Sequence, residues 1–358
     1  MQSDVLQFVP LVTALVTSLG VTPLVRRFAL SVGMVDVPNS RKIHTHPIPL
    51  LGGLAIYTGV LPTVIVLLDS RFPSQALAVL GAATLLLVVG ILDDKGILHS
   101  QVKLMVAMPL AAVILMIAGI RTQVLESAFG PLFPTALGVL RGLDYGVTLV
   151  WVVGITAACS ILDHMDGLCA GIAGIAAFFF WWMATANGQV LVALLALSLV
   201  GAAAGFLWWN FSPAKIFMGD GGAMFLGFML ATLGLKLRFP HLAPSTQWMI
   251  PVLVLGVPIF DTTLVTISRL RRGLVPFRSP GKDHTAHRLT YMGLSQREAV
   301  MVLYAAGGIL GVLAILVQYL PPLAAYGLLG LLLVVAAALI VMFERVYLQE
   351  STRRGGGV

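Results

Sequence analysis

The feature that most constrains this chain is a series of apolar, nearly uncharged runs, each of roughly 17–22 residues, the length that crosses a bilayer as a helix. Eleven such segments fall at about 5–25, 50–68, 75–92, 102–120, 147–162, 169–186, 190–209, 221–237, 248–267, 298–318 and 323–343. Within hydrocarbon every backbone N–H and C=O must be paired inside the protein, which a continuous helix achieves by itself. Composition agrees, with 58% apolar and only 10% charged residues, against about 25% charged in soluble domains. The sequence therefore predicts an all-α, polytopic integral membrane protein with about 10–11 transmembrane helices. Residues 1–358 are read as one transmembrane unit, with no stretch large enough for a separate soluble domain and no strong internal repeat.

The connections carry the remaining information. Odd-numbered connections and the C-terminal tail hold 17 Lys and Arg, whereas even-numbered ones hold Arg71, Arg121, Arg141, Lys236 and Arg238. Basic residues concentrate in cytoplasmic loops, so the N-terminus is expected outside and the C-terminus inside. The net charge of +7 is then explained by loops facing anionic headgroups, and no nucleic-acid partner is expected. Arg26 and Arg27 follow the first apolar run instead of preceding it, which marks that run as a retained helix and not a cleaved signal. The connection Arg121–Gly146, with Pro131, Pro134 and several glycines, reads as an ordered loop or short hairpin. Cys159 and Cys169, ten residues apart across a helix end, do not suggest a disulfide.

Carboxylates gather on the predicted cytoplasmic side. Asp93 and Asp94 end the third span, Asp163 and Asp166 follow the fifth, and Asp220 begins the eighth in MGDGG. Charges at the membrane are costly and point to function. An isolated GDGG serves equally well as a helix N-cap or as a hard-cation ligand beside backbone that a phosphate can approach. Oxygen-only ligands at several helix ends suit Mg²⁺, with Mn²⁺ as an alternative. The loop SPGKDHTAHRL supplies His284, His287 and Arg288. His-x-x-His without thiolates or a close third histidine argues against zinc and for binding or polarising a diphosphate. Arg271 and Arg272 read as solvated loop residues. Lys42 and His44 lie in a proline-rich first loop, RKIHTHPIPLLGG, and Asp261 lies about two turns inside the ninth span as a buried supporting carboxylate.

The ordered blocks RKIHTHPIPLLGG, LDDKG with Lys103 downstream, LDHMDGLCAG, FMGDGGAMFLGF, GVPIFDT and KDHTAHRL together resemble the polyprenyl-phosphate N-acetylhexosamine-1-phosphate transferase superfamily. That family holds MraY of peptidoglycan synthesis and the WecA-like enzymes. The resemblance implies transfer of a sugar 1-phosphate, with N-acetylglucosamine favoured, from a UDP-sugar to undecaprenyl or decaprenyl phosphate, releasing UMP. It further implies a bacterial plasma-membrane location, a role in cell-envelope glycan synthesis and homodimerisation. The catalytic loops would be about 26–50, 93–103, 160–171, 210–222 and 269–297, with 344–358 as a cytoplasmic tail. Matched residue by residue, Asp93, Asp94, Asp163, Asp166, His284 and His287 would be catalytic. Asp220, Asp94 and Asp163 would hold the metal, and Lys42, His44, Lys103, Ser160, Asp261 and Arg288 would meet substrate. Asp93 is the expected general base if one is needed.

Two departures from the family pattern matter. Ala157 and Ser160 stand where relatives often carry asparagine, and the consecutive histidines of MraY are absent, which favours the WecA-like branch over a phospho-MurNAc-pentapeptide transferase. An inactive homologue is the reading those missing asparagines motivate. An ion-coupled transporter is the rival from another class, but its site would lie near the midplane within repeats. A CDP-alcohol phosphotransferase is disfavoured because no DGxxAR follows Asp166.

Overall fold

The computed structural model describes residues 8–37, 46–68, 71–98, 100–276 and 281–353. The main helices are α1 (Val9–Ser31), α2 (Gly52–Leu68), α3 (Pro73–Asp94), α4 (Met108–Ile117), α5 (Leu137–Leu162), α6 (Leu168–Ala186), α7 (Val190–Asn210) and α8 (Gly219–Lys236). They continue as α9 (Met249–Val254), α10 (Gly256–Arg271), α11 (Thr285–Tyr291), α12 (Gln296–Val317) and α13 (Pro322–Arg353). A wide π-helical turn, Lys103–Ala107, runs directly into α4. Each of the eleven predicted segments is largely helical over its described residues. Among the described residues seven helices are long and apolar enough to span a membrane, with an eighth if the bent α9–α10 pair counts as one span. The helices at 52–68, 103–117 and 219–236 are shorter or less apolar.

Two expectations need correction. The segment 121–146 is not mainly loop, because a short helix occupies Val124–Phe129 and α5 begins at Leu137. Buried Asp144 accepts the N–H groups of Leu125 and Glu126, and Glu126 pairs with Arg121 and Arg141. These long-range partners offset the poor helix propensity of the glycines. The ninth span is broken, bending 76° at Leu255. Pro258 in the first turn of α10 lacks an N–H and disfavours helical geometry in the residue before it.

α8 is the centre of the bundle. Every residue in it except Asp220 and Lys236 is buried, with α2, α3, α5 and α6 packed around it. Lipid tails are as apolar as leucine, so helices in a bilayer hold together by close van der Waals fit, which small residues permit. Two glycine contacts set the spacing. A Cβ on Gly90 of α3 would lie 2.3 Å from Gly221 Cα, and one on Gly53 of α2 would lie 2.3 Å from Gly222 Cα. Backbone therefore meets backbone at both crossings, beside Asp94 and Asp220. A two-residue ribbon, β1 (Val35–Asp36) with β2 (Ile48–Pro49), closes the base of the first loop. Phe217 N–H donates to Pro49 O, and Gly52 and Gly53 donate to Phe217 O and Met218 O, tying that base to the strand of chain entering α8.

Candidate active site

Five elements bring the predicted carboxylates together. The N–H of Asp220, in the first turn of α8, donates to Asp94 Oδ1 at 3.0 Å. Gly219 just before it has φ +74°, a left-handed conformation available to glycine at little cost, and a Cβ there would collide with Asp94 Oδ2. Lys103 Nζ bridges Asp93 Oδ2 at 2.7 Å and Asp220 Oδ2. Ser160, from the last turn of α5, donates to Asp220 Oδ1 at 2.7 Å. The hydroxyl at this departure from the family pattern therefore supports Asp220 directly. Asp163 follows in the turn between α5 and α6. Burial, reinforced by the charges of Asp220, Asp94 and Asp166, pushes its carboxyl up to about 8.

Among the described residues Asp93 and Asp220 share the Lys103 ammonium, and Asp94 Oδ2 is buried with no hydrogen-bond partner. Such an oxygen-rich, under-neutralised set fits a hard divalent cation. Asp166 stands slightly apart, accepting from Ala214 N at 3.0 Å. Buried Asn210 accepts from Gly167 N and donates to Ile216 O. Together they dock the 163–167 turn onto the segment that leads into α8.

The same turn reaches a second group of residues. The His164 ring stacks on His284 (centroids 4.1 Å apart, 24°) and on His287 (4.8 Å, 23°). Burial and the neighbouring His284 hold His164 well below the ordinary imidazole range, and burial lowers His287 to about 4. Both rings are therefore neutral near pH 7. Asp261 is buried, with Oδ2 2.9 Å from His284 Nδ1 and Oδ1 accepting from Thr285 N at 2.7 Å. Its oxygens face the histidine segment, as a supporting carboxylate would. Donor atoms of His164, Asp261 and His284 lie within 4.8 Å of one another, so this group could hold a metal. Imidazole lone pairs lie in the ring plane, however, and nearly parallel stacked rings do not aim them at one point. His164 Nε2 and His287 Nδ1 are buried with no hydrogen-bond partner.

Arg288 is turned away from the carboxylates. It is fully buried, with Nη1 2.7 Å from Glu344 Oε1 and Nε donating to Asp283 O. Arg272 is not a solvated loop residue, since it pairs with Asp283 and donates to Tyr347 Oη at 2.9 Å. Arg271 is 62% exposed but reaches Glu344 Oε2 at 3.5 Å. Lys42 and His44 lie outside the described residues. Sequence reasoning gave His164 no role and did not single out Glu344. A histidine beside a site carboxylate was a readable signal, but a partner 56 residues from Arg288 was not.

A cavity of about 320 Å³, lined by Met165, Lys282, His287 and Tyr291 among others, adjoins the histidine segment. An apolar groove of about 400 Å³ runs between α5 and α10, lined by Val150, Trp151, Ile155, Ile259, Thr263 and Ile267 among others. A larger cavity of about 610 Å³, lined by Trp151, Arg238, Trp248 and Tyr326 among others, holds none of the predicted residues. The indole N–H groups there are already bonded to Ala231 O and Ser245 O, and we place no chemistry in it.

Residues 76–238 match the model of glycosyl transferase family 4. The chain is 38% identical over 313 residues to a probable undecaprenyl-phosphate N-acetylglucosaminyl 1-phosphate transferase of Bacillus subtilis, covering 87% of this chain and 84% of that protein. It is 33% identical to a decaprenyl-phosphate N-acetylglucosaminephosphotransferase of Mycolicibacterium smegmatis (83% and 79% covered). Identity is 27% to the undecaprenyl-phosphate alpha-N-acetylglucosaminyl 1-phosphate transferase of Escherichia coli K12 (82% and 79%). With such identity sustained over most of both chains, this protein belongs to the polyprenyl-phosphate N-acetylglucosaminyl 1-phosphate transferases of glycosyl transferase family 4.

Proposed function

We propose that the protein transfers N-acetylglucosamine 1-phosphate from UDP-N-acetylglucosamine to a polyprenyl phosphate, releasing UMP. The observation that carries this reading is that Lys103 pairs with Asp93 and Asp220 while Asp220 N–H donates to Asp94, with the Asp163 turn in their electrostatic reach. A phosphate oxygen of the lipid attacks the phosphorus that bears the sugar, and the bond to the UMP oxygen breaks. Both partners are anionic, so repulsion is the main obstacle. A phosphate monoester with a second pKa near 6 is already mostly dianionic at neutral pH. Direct attack therefore needs no strong base, and this reading prefers it to a phospho-aspartate intermediate.

Asp94, Asp163 and Asp220 are the oxygen donors suited to hold Mg²⁺, which when bound neutralises diphosphate charge. Lys103, oriented by Asp93 and Asp220, presents its ammonium to the same phosphates, and Ser160 keeps Asp220 in place. Asp166 sets the turn that carries Asp163. His284, oriented by Asp261 and with Nε2 4.0 Å from Asp283 Oδ1, is the imidazole proposed to meet a phosphate oxygen, with His287 and His164 packed alongside. Arg288 is a clamp on the histidine segment and not a substrate contact. Lys42 and His44 remain assigned to the first-loop side of the site.

The groove between α5 and α10 suits an isoprenoid chain, being almost wholly apolar and close to Asp163 along α5. The Lys and Arg distribution supports a cytoplasmic site, an outer N-terminus and an inner C-terminus in a bacterial plasma membrane. The relatives' names carry N-acetylglucosamine, which weighs against a MurNAc-pentapeptide donor. The test uses purified protein in detergent with undecaprenyl phosphate and a panel of UDP-sugars. Mg²⁺-dependent UMP release greatest with UDP-N-acetylglucosamine supports the reading, and no release with any sugar overturns it.

A further inference from the structure

The last helix of the bundle touches little of the protein. Along α13 the buried residues are Ala325, Phe343 and Glu344, and two of these three sit against the histidine segment. Phe343 packs in one apolar cluster with Ala286 and Leu289 of α11 and with Leu162 and Met165 around the 163–167 turn. Glu344 pairs with Arg288 at 2.7 Å, the two side chains being 8% and 0% exposed. Arg288 also reaches the carbonyl of Asp283 at 2.7 Å, one residue before His284. The Tyr347 ring lies 5.0 Å from the Arg288 guanidinium and 4.8 Å from that of Arg272. Asp283 itself accepts from Nε and Nη2 of Arg269 and pairs with Arg272.

A seven-residue helix such as α11 has almost no stability of its own. Its placement must come from tertiary partners, and two anchors are present. Asp261 holds its N-terminal end. The Glu344–Arg288 pair holds its middle, one residue beyond His287. Desolvation offsets much of the attraction in a buried charge pair, whereas removing one partner leaves an uncompensated buried charge.

From this arrangement we infer that Glu344 is a positioning residue for the transfer reaction. It acts through Arg288 to fix His284 and His287 relative to the carboxylate cluster, and so couples the C-terminal helix to the site. The inference rests on the proposed reading of His284 as a phosphate contact, and the experiment separates the two.

UMP-release kinetics are measured for wild type, Glu344→Gln, His284→Ala and the double variant, each first checked for monodisperse folding in detergent. Glu344→Gln is expected to lower kcat by roughly ten- to hundredfold, as small misplacements of reacting groups do, with KM for the UDP-sugar changed far less. In the His284→Ala background the same substitution should cost no more than about twofold, since groups acting through one contact are not additive. An equal loss in both backgrounds overturns the inference by showing Glu344 acting independently, and so does an unchanged kcat. If His284→Ala alone turns over normally, the histidine reading fails and the inference with it. If it is impaired while Glu344→Gln is normal, only the inference fails. Should Glu344→Gln not fold, Glu344→Asp, which keeps the charge but shortens the reach to Arg288, takes its place with the same outcomes.

Discussion

The close approach of α3 and α8 at Gly90 and Gly221 makes a testable claim about the whole site. In Gly90→Ala the new Cβ would fall 2.3 Å from Gly221 Cα, 2.4 Å from its N and 2.8 Å from Asp220 C. Carbon atoms settle at about 3.5–4.0 Å, so the helices must separate by about 1.2 Å or more. The obstructing atoms are backbone, so no side-chain rotation relieves them. Asp94 is one turn beyond Gly90 and Asp220 is next to Gly221, so the separation falls directly on the 3.0 Å bond between Asp94 Oδ1 and Asp220 N. That distance opens to about 4 Å, beyond hydrogen-bonding range.

Overpacking costs about 1–3 kcal/mol, offset by about 0.5–1 kcal/mol from removing a helical glycine. Stability therefore falls modestly, whereas turnover falls on the order of 100-fold. The assay is UMP release beside a melting midpoint in detergent. Gly81→Ala is the control on the same helix, because a Cβ there meets nothing within 4 Å, and it should be neutral or slightly stabilising. Wild-type turnover in Gly90→Ala would refute the reasoning.

Other perturbations act on the electrostatics. Lys103→Met removes the ammonium that pairs with Asp93 and Asp220; kcat/KM should fall, but the Mg²⁺ concentration giving half-maximal rate should also fall, because the cluster becomes more negative. A higher Mg²⁺ requirement would contradict this. For His287 the folded value of about 4 lies below the ordinary 6.5, so the unfolded chain binds the proton first. Its contribution is present above pH 6.5 and is lost as pH falls towards 4, with an upper bound on the order of 3 kcal/mol. The melting midpoint should drop across that window and drop less in His287→Asn, and equal slopes in the two proteins would reject it.

Much of this was legible in the sequence. Apolar run length located all eleven helical segments, because hydrocarbon leaves the backbone no other option. The six motif blocks named the carboxylates, and the structure brings Asp93, Asp94, Asp163 and Asp220 together. Three things were not legible, each for a physical reason. The helical start of α5 depends on buried Asp144 capping Leu125 and Glu126, a tertiary compensation for glycines that read as loop. The break in the ninth span was signalled by Pro258, but hydropathy averages over it. The facing of Arg288 could not be inferred because guanidinium groups serve phosphates and carboxylates alike, and its actual partner Glu344 is on the last helix.

Asp94, Asp163 and Asp220 are proposed to hold a divalent ion for the transfer. The most direct measurement is Mg²⁺-titrated UMP release by wild type and Asp220→Asn, both shown to be folded. The account predicts turnover in wild type that EDTA abolishes, and loss of nearly all turnover in Asp220→Asn at every Mg²⁺ concentration. Near wild-type turnover in Asp220→Asn, or turnover in wild type that survives EDTA, would contradict it.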